Sequence, residues 1–238
     1  MATPSHRQEN QRVYILHTYP FKETSLIAEL FTENFGRIPV VAKGARRPRS
    51  SIRGMLQSFQ VLLANWSGKS ELKSLNGLEW CEKLTILEGD ALMCGFYLNE
   101  LVMRLLPRDE AHTELFHFYH ETILALSEGH ELTITLRRFE LKLLQALGYA
   151  VTLDRDEDAN PIIPDKIYRY EAEYGACDLT RTDHGIKVLG KTLLDMSKDQ
   201  YLDKETQQQS KQLMRYLLGF YLGDKPLHSK QLFVDLQG

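Results

Sequence analysis

The sequence predicts an α+β protein: an N-terminal β-barrel of five short strands, then an α-helical bundle domain that carries a small hairpin insertion. Three observations predict it. Apolar and polar residues alternate with period two as far as Trp80, the period turns helical from Glu88, and residues 150–189 follow neither pattern. The boundaries that result are 1–82 for the barrel and 83–238 for the helical domain, with 150–189 as the inserted hairpin region.

The strands follow in order. Val13, Ile15 and the residues up to Tyr19 alternate. Thr24–Phe31 is a longer apolar-rich run that stops at the turn residues Asn34–Gly36. Arg37–Ala42 alternates again and stops at Lys43-Gly44, Leu56–Trp66 is closed by Ser67-Gly68-Lys69, and Leu72–Trp80 is the last. Five strands in so short a span, each closed by turn residues, suit the OB-fold, a partly open barrel used to bind oligonucleotides.

The helices come next. Leu98, Leu101 and Leu105 recur at i, i+3 and i+7, and Pro107 ends that helix. Leu115, Tyr119, Thr122 and Leu126 mark a second helix that stops near Gly129. Leu136, Phe139, Leu143 and Leu147 mark a third, with Gly148 placed to cap it. Short links between the three imply a compact bundle. The insertion holds the acidic run Asp154-Arg155-Asp156-Glu157-Asp158, then Pro161 and Pro164, then the strand-like pieces Ile167–Tyr170 and Gly185–Val188. Helical pattern returns at Thr192–Ser197, at Lys204–Leu222 with Leu213, Leu217 and Phe220 as its stripe, and at Ser229–Leu236.

Composition narrows the function classes. With 43% hydrophobic and 26% charged residues the chain is of globular type. No run reaches the ~18 apolar residues of a membrane span, and the polar Met1–Gln11 is no signal peptide, so the cytoplasm is expected. The three cysteines, Cys81, Cys94 and Cys177, are widely spaced and form no Cys-x-x-Cys, which suits a reducing compartment and gives neither a disulfide framework nor a cysteine zinc site. The net charge of -3 argues weakly against a nucleic-acid partner, but it hides a separation. Asn34–Ser70 contains no Asp or Glu and carries Arg37, Lys43, Arg46, Arg47, Arg49, Arg53 and Lys69, whereas acids outnumber bases from Asp154 to Asp183. Local charge sets what a surface attracts.

Four motifs invite chemistry. Gly185-Ile-Lys-Val-Leu-Gly190-Lys191-Thr192 satisfies the phosphate-loop pattern in full, yet its four intervening residues read as strand, and the chain beyond Thr192 reads as helix rather than as a parallel sheet. His112, His117 and His120 cluster, but only the last two share a helix face, so a solvated face is expected rather than a metal site. No nucleophile elbow and no His-Glu-x-x-His occurs, so no catalytic residue and no cofactor is assigned. The basic stretch Gly44–Gly54 is a loop by composition, and Arg37, Lys43, Arg46, Arg47, Arg49 and Arg53 are expected to contact DNA phosphates. Phe35, Phe59 and Trp66 lie close by in sequence as candidates for stacking bases. Finally, Arg137 and Arg138 stand beside the stripe of the third helix and point in different directions: either one flanks a groove while the other faces water, or both form salt bridges on the surface.

Taken together, these segments resemble the bacterial RecO family of recombination and repair mediators over nearly the whole chain. The resemblance is carried by Glu23-Thr-Ser-Leu-Ile27, by Phe31-Thr-Glu33 with Gly36-Arg37 and Val41-Ala-Lys-Gly-Ala-Arg46, by Leu136-Arg-Arg-Phe-Glu-Leu141 leading to Leu147-Gly-Tyr149, and by Lys225-Pro-Leu227 with Ser229-Lys-x-Leu-Phe233. It implies an N-terminal OB-fold, binding to single- and double-stranded DNA, annealing of complementary strands, partnership with RecR, and help in loading RecA onto strands coated by single-stranded DNA-binding protein. Many members carry a four-cysteine zinc module after the third helix. Here only Cys177 lies in that stretch, so a metal-free hairpin is expected in its place. The resemblance also implies docking of the acidic, Phe-ended C-terminal tail of single-stranded DNA-binding protein. Arg137, ahead of Arg138, is expected to hold the tail carboxylate, with Leu141 and Leu144 lining a slot for the ring. Two rival functions are a nucleotide-binding enzyme built on Gly185–Thr192 and a protein-interaction adaptor whose basic loop meets an acidic protein.

Overall fold

Period-two alternation puts one side of each N-terminal strand into a shared core, and closing the sheet on itself removes the edges. In a computed structural model, which describes residues 6–149, 151–181, 184–223 and 227–229, five strands do this: β1 (Arg7–Phe21), β2 (Ser25–Thr32), β3 (Gly36–Ala42), β4 (Leu62–Ser67) and β5 (Lys73–Trp80). They close a barrel in the order β1-β2-β3-β5-β4, antiparallel except where β3 meets β5. Val13, Ile15, Leu30, Ile38, Val40, Leu62 and Trp66 fill the interior. The chain between β3 and β4 closes one end of the barrel, because Ala45, Ile52, Met55 and Leu56 pack onto the same core. That packing, with a single 3-10 turn at Arg53–Met55 and a positive φ at Phe59, delays β4 to Leu62, whereas the apolar run had suggested a start at Leu56.

Against β2, β1 contains one extra residue. Ile15 pairs with Leu30 and His17 with Glu29, so Leu16 is a β-bulge. The bulge exchanges the two faces of the strand: Val13 and Ile15 point into the core, whereas His17 and Tyr19, two and four residues on, stand exposed. The Leu16 carbonyl accepts a bond from the Asn99 side-chain amide at 2.8 Å. The Asn99 side-chain oxygen accepts in turn from the Tyr119 hydroxyl.

Asn99 belongs to α1 (Gly89–Leu105) and Tyr119 to α2 (Thr113–Ser127). Both helices group with the barrel in one compact unit, which runs to Glu128 and also takes up residues 227–229. α2 lies over the outer side of β1 and β2. Tyr14 and Phe31, an outward-facing cross-strand pair, meet Phe116 at 5.7 and 5.4 Å and Tyr119 at 4.8 and 5.7 Å between ring centroids. All four rings are buried, each contributing roughly 1.5–3 kcal/mol by area. Glu100 of α1 accepts three bonds from His228 and Ser229. The compact three-helix bundle expected from the short links does not form as such: α1 and α2 bury their stripes with the barrel, and the third helix belongs to the second unit. The expected helix at Ser229–Leu236, and most of the sequence signature from Lys225 to Phe233, lie outside the described residues.

The second unit spans residues 129–223 as described. α3 (Leu132–Ala146) packs on α5 (Lys204–Leu222), as does α4 (Gly190–Ser197). The Glu131 side chain caps α3 by accepting from the Thr133 and Ile134 amides, and Gly148 follows its end with φ +78°. The region expected as a hairpin holds a three-stranded antiparallel sheet: β6 (Ile167–Glu171) is central, between β7 (Gly175–Cys177) and β8 (Ile186–Leu189). Tyr168 and Tyr170 of β6 are buried, and their hydroxyls bond the backbone at Ile163 and Thr152.

Candidate nucleic-acid interface

The loop from Lys43 to Gly54 is pinned to the barrel. The Arg46 amide donates to the Thr24 carbonyl at 2.9 Å, and Arg47, Ser50 and Arg53 donate within successive turns. Its apolar residues turn inward and its cations outward. Lys43, Arg46, Arg47, Arg49 and Arg53 are all exposed, and among the described residues no carboxylate pairs with any of them. Backbone bonds hold the basic surface in place, so little ordering entropy opposes a ligand there.

The remaining predicted cation is placed differently. Arg37 lies on the outer side of β3 with its side chain only 13% exposed, paired to the buried Glu29 at 3.0 Å. Its Nε donates to the Leu106 carbonyl at 3.1 Å. Arg108, which follows α1, grips the same Glu29 carboxylate and reaches Glu71 at 2.5 Å. The Asp109 amide bonds the Arg37 carbonyl, and any side chain at Gly36, where φ is +67°, would strike the Glu110 carbonyl. Arg37 therefore fastens the segment after α1 to the barrel and is not part of the exposed basic surface. The predicted stacking residues also change role. Trp66 is 1% exposed in the barrel core, Phe59 is buried against Gly95 and Phe96 of α1, and Phe35 packs on the core in a T-shaped contact with Trp66. Trp66 and Phe59 offer no free face, and Phe35 is only partly exposed.

Two features escaped the sequence reading. Lys22, at the β1–β2 turn, is exposed beside the basic loop, and its carbonyl lies 3.4 Å from the Arg46 guanidinium. The rung Tyr19–Ile27–Val41 crosses the outer side of β1, β2 and β3, with Tyr19 41% exposed. The rung of Tyr14 and Phe31, toward the other end of the same strands, is covered by α2. Partial burial, with the Glu29 carboxylate near, raises the Tyr19 phenol above its ordinary value and keeps it neutral. The signal was present, since His17, Tyr19 and Phe21 alternate with polar or small residues, but the bulge hid which side they face.

In the second unit the structure reassigns the predicted tail-binding residues. Arg137 is 9% exposed and paired with Glu140 at 2.5 Å, and it also reaches the Lys211 carbonyl of α5 at 3.5 Å. A guanidinium held this way joins α3 to α5 and is not open to an external carboxylate. Leu144 is fully buried and Leu141 nearly so, as core of the unit. Arg138 is the exposed member of the pair, and it meets Asp199 at 2.7 Å.

The phosphate-loop pattern is occupied by the fold itself. Ile186–Leu189 is strand β8. The Gly190 and Lys191 amides, which would have to face a phosphate, donate to the Lys166 and Pro164 carbonyls at 2.8 Å. A Cβ at Gly190 would lie 2.0 Å from the Ile163 carbonyl oxygen, so the glycine answers to packing. Lys191 binds Asp195 at 2.6 Å and also Asp203, and it holds the Asp203 carboxyl down at about 2, with help from the Thr206 amide. His117 and His120 lie near Glu33 and Glu82 respectively, and His120 shares a 2.7 Å bond with the Tyr14 hydroxyl. Among the described residues no group of three or more His, Cys, Asp or Glu is arranged to hold a metal, and no helix is long and apolar enough to cross a membrane.

Comparison with known proteins covers both units. Residues 6–84 match the family model described as recombination protein O N terminal, and residues 87–231 match recombination protein O C terminal. The chain is 50% identical over 240 residues to a DNA repair protein RecO of Nitrosospira multiformis, covering 100% of this chain and 99% of the relative. It is 47% identical to the protein of that name from Dechloromonas aromatica, over 96% of each chain. It is 45% identical to that of Burkholderia pseudomallei, over 99% of this chain and 86% of the relative.

Proposed function

The chain belongs to the recombination protein O family of DNA repair proteins, and from that membership we propose that it is a non-catalytic recombination mediator that binds and anneals single-stranded DNA. The observation that carries the reading is the pinned, acid-free loop with Lys43, Arg46, Arg47, Arg49 and Arg53 exposed together, joined by Lys22. Cations fixed on one surface neutralise phosphates of any sequence and release counterions, which is the affinity an annealing protein needs. The adaptor alternative, in which the loop meets an acidic protein, is separated by its indifference to oligonucleotide.

The test is a salt titration. Arg46→Ala/Arg47→Ala/Arg49→Ala should weaken binding to every single-stranded sequence alike and flatten the log–log salt slope by about 0.7 per lost phosphate contact. Wild-type affinity across the salt series would move the DNA surface elsewhere. The same proposal includes binding of duplex DNA, cytoplasmic work at the nucleoid, partnership with RecR, and loading of RecA onto strands coated by single-stranded DNA-binding protein. For the acidic tail of that protein we assign Arg138 as the carboxylate-binding cation, because it is exposed where Arg137 is not. Arg138→Ala should weaken a fluorescent tail peptide while leaving naked-DNA affinity unchanged, and an unchanged tail affinity would remove α3 from that site.

A further inference from the structure

The outer side of the barrel carries cations on its loops, but a phosphate surface alone does not separate a single strand from a duplex. What a single strand adds is the open face of its bases. An aromatic ring that is to meet them must be exposed, rigidly based and adjacent to the cations. Trp66 and Phe59 are buried and fail the first condition, and Phe35 is partly buried by packing on the barrel core.

Tyr19 meets all three. Its strand pairs with β2 through Ile27, and Ile27 pairs in turn with Val41 of β3, so the ring stands on a ladder of three strands. Its ring is 41% exposed, with His17 edge-on to it at 4.5 Å between centroids. Val41 is two residues before Lys43, and Tyr19 is three before Lys22, so cations leave both flanking strands next to this rung. Residues two apart on one side of a strand lie about 7 Å from each other. His17, Tyr19 and Phe21 therefore form a row of rings along β1 that ends at the Lys22 turn, where the Lys22 ammonium stands 5.4 Å from the Phe21 ring centre. The nearest carboxylate on the neighbouring rung, Glu29, is already gripped by Arg37 and Arg108 and does not repel a phosphate chain.

We propose that Tyr19, at the centre of the His17–Tyr19–Phe21 row, is the base-stacking residue through which the barrel recognises single-stranded DNA, with Lys22, Lys43 and the Arg46–Arg53 loop holding the phosphates alongside. The assignment rests on the DNA-binding reading above, and it adds the element that distinguishes unpaired from paired bases. The phenol oxygen has no part in it; the ring does.

The experiment compares an ordinary single-stranded oligonucleotide, an abasic one of equal length, and a duplex. Tyr19→Ala should lower affinity for the ordinary strand about fivefold to a hundredfold, the size of one stacked base. Affinity for the abasic strand and for the duplex should stay at the wild-type value, and so should the salt slope. Tyr19→Phe should bind like wild type. Tyr19→Leu, which keeps apolar cover over Ile27, should show the same selective loss as Tyr19→Ala and guards against a folding artefact. Wild-type affinity in Tyr19→Leu for the ordinary strand, or an equal loss on the abasic strand, overturns the assignment. If the triple arginine variant loses salt dependence while Tyr19→Leu binds normally, stacking alone fails; if both variants bind normally, the DNA surface itself is misplaced.

Discussion

The two ends of the barrel's outer side use the same kinds of residue for opposite purposes. At the end under α2, Tyr14 and Phe31 are buried by Phe116 and Tyr119, and Arg37 and Arg108 are consumed by Glu29. At the other end Tyr19 is open and the arginines of the loop between β3 and β4 meet no carboxylate among the described residues. Aromatic rings and guanidinium groups are thus structural or available according to what the rest of the chain brings to them. A tally of arginines finds both populations and cannot separate them.

That contrast is open to direct attack. The largest effect belongs to the covered end. Glu29→Ala leaves two guanidinium groups over a space that has lost its carboxylate, and breaking a buried pair from one side costs about 3–5 kcal/mol. Urea unfolding should show that loss, whereas Arg46→Ala, Arg47→Ala and Arg49→Ala should each stay within about 0.5 kcal/mol of wild type, as exposed substitutions do. If the loop substitutions destabilise more than Glu29→Ala, the assignment of the two ends is inverted.

A smaller effect is expected from pH. Burial between the barrel and α2, beside the Tyr14 hydroxyl, lowers the His120 imidazole below its ordinary value despite the Glu82 carboxylate nearby. A depressed folded-state value means that the unfolded chain takes the proton first. The contribution of His120 is therefore whole above about pH 6.5 and declines as pH falls through that value. His120→Gln should flatten the fall of the urea midpoint between about pH 5 and 7. The arginines and lysines of the open end should add nothing to that slope. An unchanged slope in His120→Gln would assign the acid sensitivity to another group.

Much of the fold was legible because periodicity reports burial directly. The five strands, the three-residue-step stripes of the helices and the limits of α5 all follow from it. β7 was missed because Gly175-Ala-Cys177 is too short to show a period. The grouping of α1 and α2 with the barrel was missed because a stripe says that a helix is buried and does not say against what. At the candidate site, the acid-free stretch located the exposed loop, since the loop's charges have no near partner in sequence. Arg37 was misplaced because its partners stand on other elements, at Glu29 and at the Leu106 carbonyl. Arg137 was misjudged for a related reason: Glu140 lies one turn away on the same helix, in plain view, but its complete burial depends on α5.

The bulge at Leu16 bears on how this protein tolerates changes in length. Removing Leu16 would leave Ile15 opposite Leu30 and His17 opposite Glu29, so the sides of β1 would stay as they are. Keeping every residue but pairing the strand regularly, with Leu16 opposite Glu29, would exchange them. In that regular register His17, Tyr19 and Phe21 would be driven inward, and Thr18 and Pro20 would come out in their place. A one-residue slip there is thus a larger alteration than most substitutions, although no side chain of the proposed site is replaced. The Leu16 carbonyl, tied to Asn99, also makes α1 the element that fixes where the exchange happens. Swapping β1 for a strand of equal length and hydrophobicity but regular pairing should keep a closed barrel and lose its oligonucleotide-facing row.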